Sequence, residues 1–251
     1  MMTFTTPCFL SREALVKIKS DGPCYRNSLK ETLITGDPFL DKQFFAAQKM
    51  FAKTTRKTLR RQEDIFPIIK KLSRIRSDDL EKVLTNDDHG LPPLEAYQGV
   101  CKYVKCSPDP DVVSNLEKID IMSGFHIEAS RKSSELKEGE LGLLLGKISS
   151  FKTEAQLRME QKGKLFATPD FLFCQPLKIL VDGNLHTINW LEYKNQLGVD
   201  EGIYFEQTIG QVNKYKSCLG KGAVAYGFGI VEGHSGFGED TVLLDASFLN
   251  R

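Results

Sequence analysis

Apolar positions recur every three or four residues through most of the first 150 positions. After about position 165 they alternate or run in short unbroken blocks. The first regime predicts helices and the second predicts strands. Between Asp41 and Arg61, the residues Phe44, Phe45, Ala47, Met50, Phe51 and Leu59 are apolar, and basic residues fill many of the other positions. From Asp64 to Leu72, Ile65, Ile68, Ile69 and Leu72 fall at spacings of three and four, with Pro67 in the first turn, where proline is tolerated. Ser77 opens "SDDLEKVL": a capping residue, two acids in the first turn, and Leu80, Val83 and Leu84 on one face. These two short helices, joined by "SRIR", read either as a helix-turn-helix or as part of a small helical bundle. Turn-forming residues gather from Asp87 to Asp111 in "NDDHGLPP" and "SPDPD", which predicts a linker. Ser134 to Ser150 then resumes as a helix with a broad leucine face, weakened by Gly139, Gly142 and Gly146.

The second regime begins with "KLFATPDFLF", a strand interrupted by Pro169. "LKILV" and "LHTINWLEYKN" follow, joined by "DGN"; Asp-Gly is a strong short hairpin signal. Phe205 to Leu219 predicts a helix, with Ile209, Val212 and Tyr215 on one side. "GAVAYGFGIV" predicts a buried, glycine-rich strand, and "DTVLLDASFL" one more. Helices alternating with strands in this order imply an α/β fold, a mixed sheet flanked by helices. An all-α, helix-turn-helix-like region precedes it. The division is placed at residues 1–118 and 119–251.

Composition narrows the class. The chain has 251 residues, 41% of them hydrophobic and 27% charged, as an ordinary globular protein has. No apolar run is long enough to span a membrane, and no secretory leader is visible. Six scattered cysteines lack zinc-site spacing and read as free thiols of the nucleus or cytoplasm. The four histidines share no ligand spacing, the phosphate-loop pattern is absent, and no "GxSxG" elbow occurs.

Net charge is +1, but it is unevenly spread. Residues 1–134 hold 22 basic and 18 acidic side chains, and the remainder hold 12 and 15. Between Lys49 and Arg76 there are ten basic residues and two acids. Lys53, Arg56, Lys57, Arg60 and Arg61 are therefore candidates for nucleic-acid binding through phosphate contacts; the alternative is a solvated helix face.

Candidate chemistry concentrates in "INWLEYKN". Side chains two apart on a strand share a face, so Ile188, Trp190, Glu192 and Lys194 are expected on one side. Asn189, Leu191 and Tyr193 are expected on the other. A strand upstream carries Asp170 directly after Pro169. Two carboxylates converging from neighbouring strands make a hard oxygen site suited to Mg²⁺ or Mn²⁺. A metal there polarises a phosphoryl oxygen and activates water, and a lysine on the same face offsets developing charge.

"TPDFLF" together with "INWLEYKN" resembles the PD-(D/E)xK phosphodiesterase superfamily, which has a restriction-endonuclease-like fold. "ATPDFLF", "DGNLHTINWLEYKN" and "AYGFG" sharpen this to a resemblance to the TPD-type nucleases, over roughly residues 134 to 230. The resemblance implies roles. Asp170 is the central metal ligand, Glu192 the second, and the backbone carbonyl of Tyr193 a third. Lys194 is the catalytic lysine. An acid on the helix before the sheet completes the site, with Glu140 the first choice and Glu138 the reserve. Gln211, in "QVNKY", resembles a Gln-x-x-x-Tyr element and would contact the water or the DNA backbone, while Tyr215 packs. The implied activity is metal-dependent hydrolysis of DNA; no residue suggests strong base readout, so selectivity for structure rather than sequence is expected. RNA would suit the same chemistry. The resemblance also implies a codanin-type protein partner, and with it the alternative of an adaptor for which catalysis is dispensable.

Overall fold

The computed structural model describes residues 2–4, 9–20, 38–58, 62–86, 91–160 and 167–250. In chain order they form β1 (Met2–Phe4), β2 (Phe9–Leu10), α1 (Arg12–Ser20), α2 (Pro38–Thr58), α3 (Gln62–Leu72), α4 (Ser77–Asn86), α5 (Pro93–Val104), α6 (Pro110–Ile119), α7 (Gly124–Gly146), β3 (Phe151–Thr153), α8 (Glu154–Glu160), β4 (Phe171–Val181), β5 (Asn184–Lys194), α9 (Gly202–Leu219), β6 (Gly222–Tyr226), β7 (Ile230–Val231) and β8 (Thr241–Asp245). A 3₁₀ turn at Ser247–Asn250 follows. The chain forms two compact units, Val16–Lys132 and Met1–Leu15 with Ser133–Arg251. None of the helices among the described residues is long and apolar enough to cross a membrane.

The helical unit is built on a shared apolar core. Ile69 and Leu72 of α3, Leu80 and Leu84 of α4, Tyr97, Val100 and Cys101 of α5, and Leu116 of α6 pack together. The stretch read as a linker is thus occupied by α5. Its proline pair marks a helix start: Pro93 sits in the first turn, where a missing N–H costs nothing. Asp120 closes this start from outside the helix, accepting from the N–H groups of Leu94 (2.9 Å) and Met122 (2.7 Å). The helix expected from Ser134 begins ten residues earlier, at Gly124.

The second unit is a mixed α/β layer structure. Its main sheet runs β1-β4-β5-β6-β8, and β3 also pairs with β4. The contacts β3–β4 and β4–β5 are antiparallel; β1–β4, β5–β6 and β6–β8 are parallel. A small parallel pair, β2 with β7, lies apart from it. The Asp-Gly hairpin forms as expected. Val181 pairs with Asn184, and Asp182 and Gly183 both take positive φ (48° and 79°), as a two-residue primed turn requires. "FLF" and "LKILV" are one continuous strand, whereas β3 and α8 were not foreseen, being too short for a clear period.

Each face of the sheet carries its own core. On one side, Leu141 and Leu145 of α7 meet Phe171, Phe173, Leu191, Tyr193, Ala223 and Ala225. On the other, Val212 and Tyr215 of α9 meet Trp190, Val224 and Tyr226. Ile188 departs from the simple alternation: it packs with Leu191 and Tyr193, not with Trp190. The β4–β5 register shifts between Leu172 and Leu177, and the pleat of β5 changes side at that irregularity. Trp190, fully buried, is fixed by an indole N–H bond to the Gly220 carbonyl (2.8 Å). Its partner in register is Gly222, where any Cβ would collide with the indole ring. The first residues are tied into the same unit. Arg12 donates to Asp200 Oδ2 (2.6 Å) and to the carbonyls of Glu232 (2.9 Å) and Gly233 (3.1 Å).

Candidate active site

The hairpin register builds the site. Phe171 pairs with Leu191, so one step further Asp170 stands opposite Glu192. The Tyr193 N–H donates to Asp170 Oδ2 at 2.7 Å, and the Asp170 N–H approaches Glu192 Oε2 at 3.4 Å. Lys194 Nζ donates to Glu192 Oε1 (2.6 Å) and to Gln211 Oε1 (2.8 Å). Four of the residues singled out in the sequence, Asp170, Glu192, Lys194 and Gln211, therefore share one hydrogen-bonded chain, with Tyr193 contributing its N–H. Glu192 is only 4% exposed, which is rare for a carboxylate unless it is paired.

Of the two acids weighed on α7, Glu138 is the one whose charge reaches the pair. Its carboxyl is pushed up by burial and by the charges of Glu154 and Glu192, and Lys194 pulls it down. Glu140 instead pairs with Lys137 at 3.0 Å, its side chain 41% exposed. Burial is the first cause that raises the Asp170 carboxyl, to about 8. The charges of Glu192 and Glu138 add to it, opposed by the Tyr193 hydrogen bond and by Lys194. Asp170 and Glu192 share one lysine, and the charge of Glu138 reaches them. Such crowding of like charge costs stability, and perturbed acids of this kind cluster at functional sites.

Tyr215 supports the arrangement from α9. Its ring lies edge-on to Trp190 (5.2 Å between centroids), and its hydroxyl donates to the Thr168 carbonyl at 3.2 Å. Burial, then the charges of Glu192 and Asp170, raise its phenol well above the ordinary range. The carbonyl of Asp170 accepts from the Glu154 N–H at 3.3 Å, so the unforeseen α8 also holds the motif. A cleft of about 430 Å³ opens beside Lys194, lined also by Gln196, Tyr204, Gln207, Thr208 and Gln211. Sequence reasoning did not find Gln196, Tyr204 or Gln207.

The residues suit a divalent cation in one specific way. Among the described residues, no three His, Cys, Asp or Glu side chains are gathered as a ready-made cage. Mg²⁺, however, is commonly held by one or two carboxylates with water and substrate phosphate completing its shell. Asp170 and Glu192 supply the two carboxylates, and the mutual repulsion at Asp170 is what a cation would relieve.

The basic candidates lie in the other unit. Lys53, Arg56 and Lys57 are on α2. Lys53 is half-buried, the side chains of Arg56 and Lys57 are outside the described ones, and Arg60 and Arg61 lie outside the described residues. Lys49, one turn before Lys53, donates to Ser130 Oγ (2.8 Å); burial, with the Lys53 charge, lowers its ammonium to about 8.

The chain is 38% identical over 106 residues to the mouse (Mus musculus) protein named CDAN1-interacting nuclease 1, covering 42% of this chain and 35% of that one. It is 32% identical over 80 residues to an uncharacterized protein of Acanthamoeba polyphaga mimivirus, covering 32% of this chain and 28% of that one. The matches thus span about a third of each relative's length. No solved structure matches. A family model described as a protein of unknown function with a TPD sequence motif matches residues 111–248, more than half of the chain. The Thr168-Pro169-Asp170 tripeptide stands in that stretch, at the head of the carboxylate site, and the chain belongs to the TPD sequence-motif family.

Proposed function

We propose that this protein is a metal-dependent nuclease that hydrolyses phosphodiester bonds of DNA, on a restriction-endonuclease-like PD-(D/E)xK fold. The observation that carries the reading is the Asp170–Glu192 pair, its glutamate buried, with Lys194 bonded to it. Asp170 and Glu192 would hold Mg²⁺ or Mn²⁺, with the Tyr193 carbonyl as a further oxygen donor and Glu138 in electrostatic reach. The bound cation supplies Lewis acidity toward a phosphoryl oxygen and a more acidic water. The chain's own groups do the rest. Lys194, held between Glu192 and Gln211, places a positive charge where negative charge develops on the attacked phosphate. Gln211 fixes the lysine and offers amide donors beside it. Trp190 and Tyr215 close the floor of the site and keep bulk water from beneath the carboxylates.

The basic segment around Lys53, Arg56, Lys57, Arg60 and Arg61 would neutralise backbone phosphates, a sequence-independent and salt-sensitive form of binding. The relative's printed name also supports a codanin-type protein partner for this chain. The experiment is cleavage of labelled single-stranded, duplex, flapped and four-way-junction DNA with Mg²⁺, Mn²⁺ or EDTA. Metal-dependent hydrolysis that is abolished in Asp170→Asn is expected. Absence of hydrolysis on every substrate would overturn the nuclease reading in favour of an adaptor.

A further inference from the structure

We infer that the cleft beside Lys194 seats an unpaired nucleotide of a single-stranded polynucleotide, with a base stacked on Tyr204 and its edge read by Gln196 and Gln207. The inference rests on the nuclease reading above and names the strand form that the site accepts.

The lining decides the ligand class. Besides Lys194 it consists of three primary amides, a phenol and the hydroxyl of Thr208, with no carboxylate. A groove made for the outside of a duplex needs cations along its length, because what a duplex presents there is phosphate. Here the one cation, Lys194, is already engaged by Glu192 and Gln211. Amides both donate and accept, as base edges do, and a tyrosine ring offers a stacking platform that every base can use. A volume of about 430 Å³ falls in the range of small-ligand sites, which suits a single nucleotide.

The lining is also pre-positioned. The Gln196 N–H donates to the Lys194 carbonyl (2.8 Å), and its carbonyl accepts from Phe228 (3.2 Å), so Gln196 cannot drift from the lysine. Thr208 Oγ1 donates to the Tyr204 carbonyl at 2.8 Å, fixing the first turns of α9. Tyr204, Gln207, Thr208 and Gln211 are spaced three, one and three apart, so they line one side of α9 that ends at the lysine. A base on Tyr204 would leave the adjoining phosphate facing Lys194.

The test is fluorescence anisotropy of the full chain with short labelled oligonucleotides in EDTA, where no hydrolysis intervenes. DNA and RNA are each presented single-stranded and as blunt duplexes. Single strands are expected to bind more tightly than duplexes. Tyr204→Ala should weaken single-strand binding roughly fivefold or more, the loss expected of one base–aromatic stack, while Tyr204→Phe retains it and duplex binding is unmoved. The exposed Gln207→Ala serves as the second variant should Tyr204→Ala fail to fold, and should weaken single strands selectively. Equal losses for single strand and duplex, or no loss in either variant, would overturn the inference. Tyr204-dependent binding without any metal-dependent cleavage would retain the cleft and remove the nuclease reading. Cleavage indifferent to both variants would do the reverse.

Discussion

The backbone N–H of Tyr193 donates to Asp170 Oδ2 at 2.7 Å across the β4–β5 hairpin. This bond holds the Asp170 carboxylate against the strand that carries Glu192 and Lys194, although the two acids repel. An ionised Asp170 is therefore tolerated by the fold rather than favoured by it.

A stability prediction comes directly from that strain. The folded carboxyl titrates near 8, whereas an unfolded aspartate titrates near about 3.9. The folded state binds this proton more tightly, so its contribution favours folding at low pH and is lost as pH rises from about 4 toward 8. Asp170→Asn has no such titration. In EDTA at pH 8 it should melt higher than the wild type, by roughly 2–4 °C for each kcal/mol of repulsion relieved. The difference should shrink as pH is lowered toward 5. Melting curves at several pH values check this, and a lower melting temperature for the variant at pH 8 would refute it.

The two acids weighed on α7 should separate cleanly. Glu138 feels the charges of Glu154 and Glu192, while Glu140, itself exposed, is paired with half-buried Lys137. Glu138→Gln should stabilise the metal-free protein and weaken its affinity for Mn²⁺. Glu140→Gln should change stability by less than about 1 kcal/mol, as exposed pairs do, and leave metal affinity alone. Thermal melts with and without Mn²⁺ distinguish the two variants.

Acid should loosen the first residues. Burial by itself would raise the Asp200 carboxyl. The Arg12 hydrogen bond, the Ser235 N–H at 3.1 Å and the Arg12 charge outweigh it and bring the group down to about 2. A depressed carboxyl stabilises above the unfolded value of about 4, and that stability is lost as pH falls toward 2. Arg12→Ala removes these bonds and should cost about 1 kcal/mol at pH 7 by urea denaturation, since the arginine is partly exposed and solvent screens it. The deficit should narrow below pH 4. An unchanged midpoint at pH 7 would show that Arg12 contributes nothing.

Gly222 is irreplaceable for a steric reason. A methyl group there meets the Trp190 indole, which is locked by its bond to Gly220. Gly222→Ala should cost about 1–3 kcal/mol or more, since a filled core cannot yield. Trp190 fluorescence in a denaturant titration reads both the loss and any displacement of the ring.

Much of this site was legible in the sequence because strand periodicity and a two-residue turn leave few choices. Once Asp182-Gly183 is read as the turn, Glu192 and Lys194 share a face, but an unbroken register would set Asp170 opposite Asn195; the shift between Leu172 and Leu177 is what brings it opposite Glu192. Two features escaped. Ile188 changes side because the β4–β5 pairing slips between Leu172 and Leu177, and alternation cannot reveal an irregularity of that kind. The choice between Glu138 and Glu140 is not legible, because "LGLLLG" does not say which leucines are buried. The structure buries Leu141 and Leu145, three and seven residues after Glu138, so that acid lies on the stripe facing the sheet. In the helical unit, the "PP" that contributes to the predicted linker is a helix start. Tyr97, Val100 and Cys101 of α5 carry the helical spacing that follows it.

The most direct measurement is binding of Mn²⁺, followed by its electron paramagnetic resonance signal, to the wild type, Asp170→Asn and Glu192→Gln at one pH. The expected result is stoichiometric binding by the wild type, weakened at least tenfold in either variant, with Mg²⁺ competing for the same site. Equal Mn²⁺ binding by all three proteins, or none by the wild type, would contradict the assignment of Asp170 and Glu192 as a metal-holding pair.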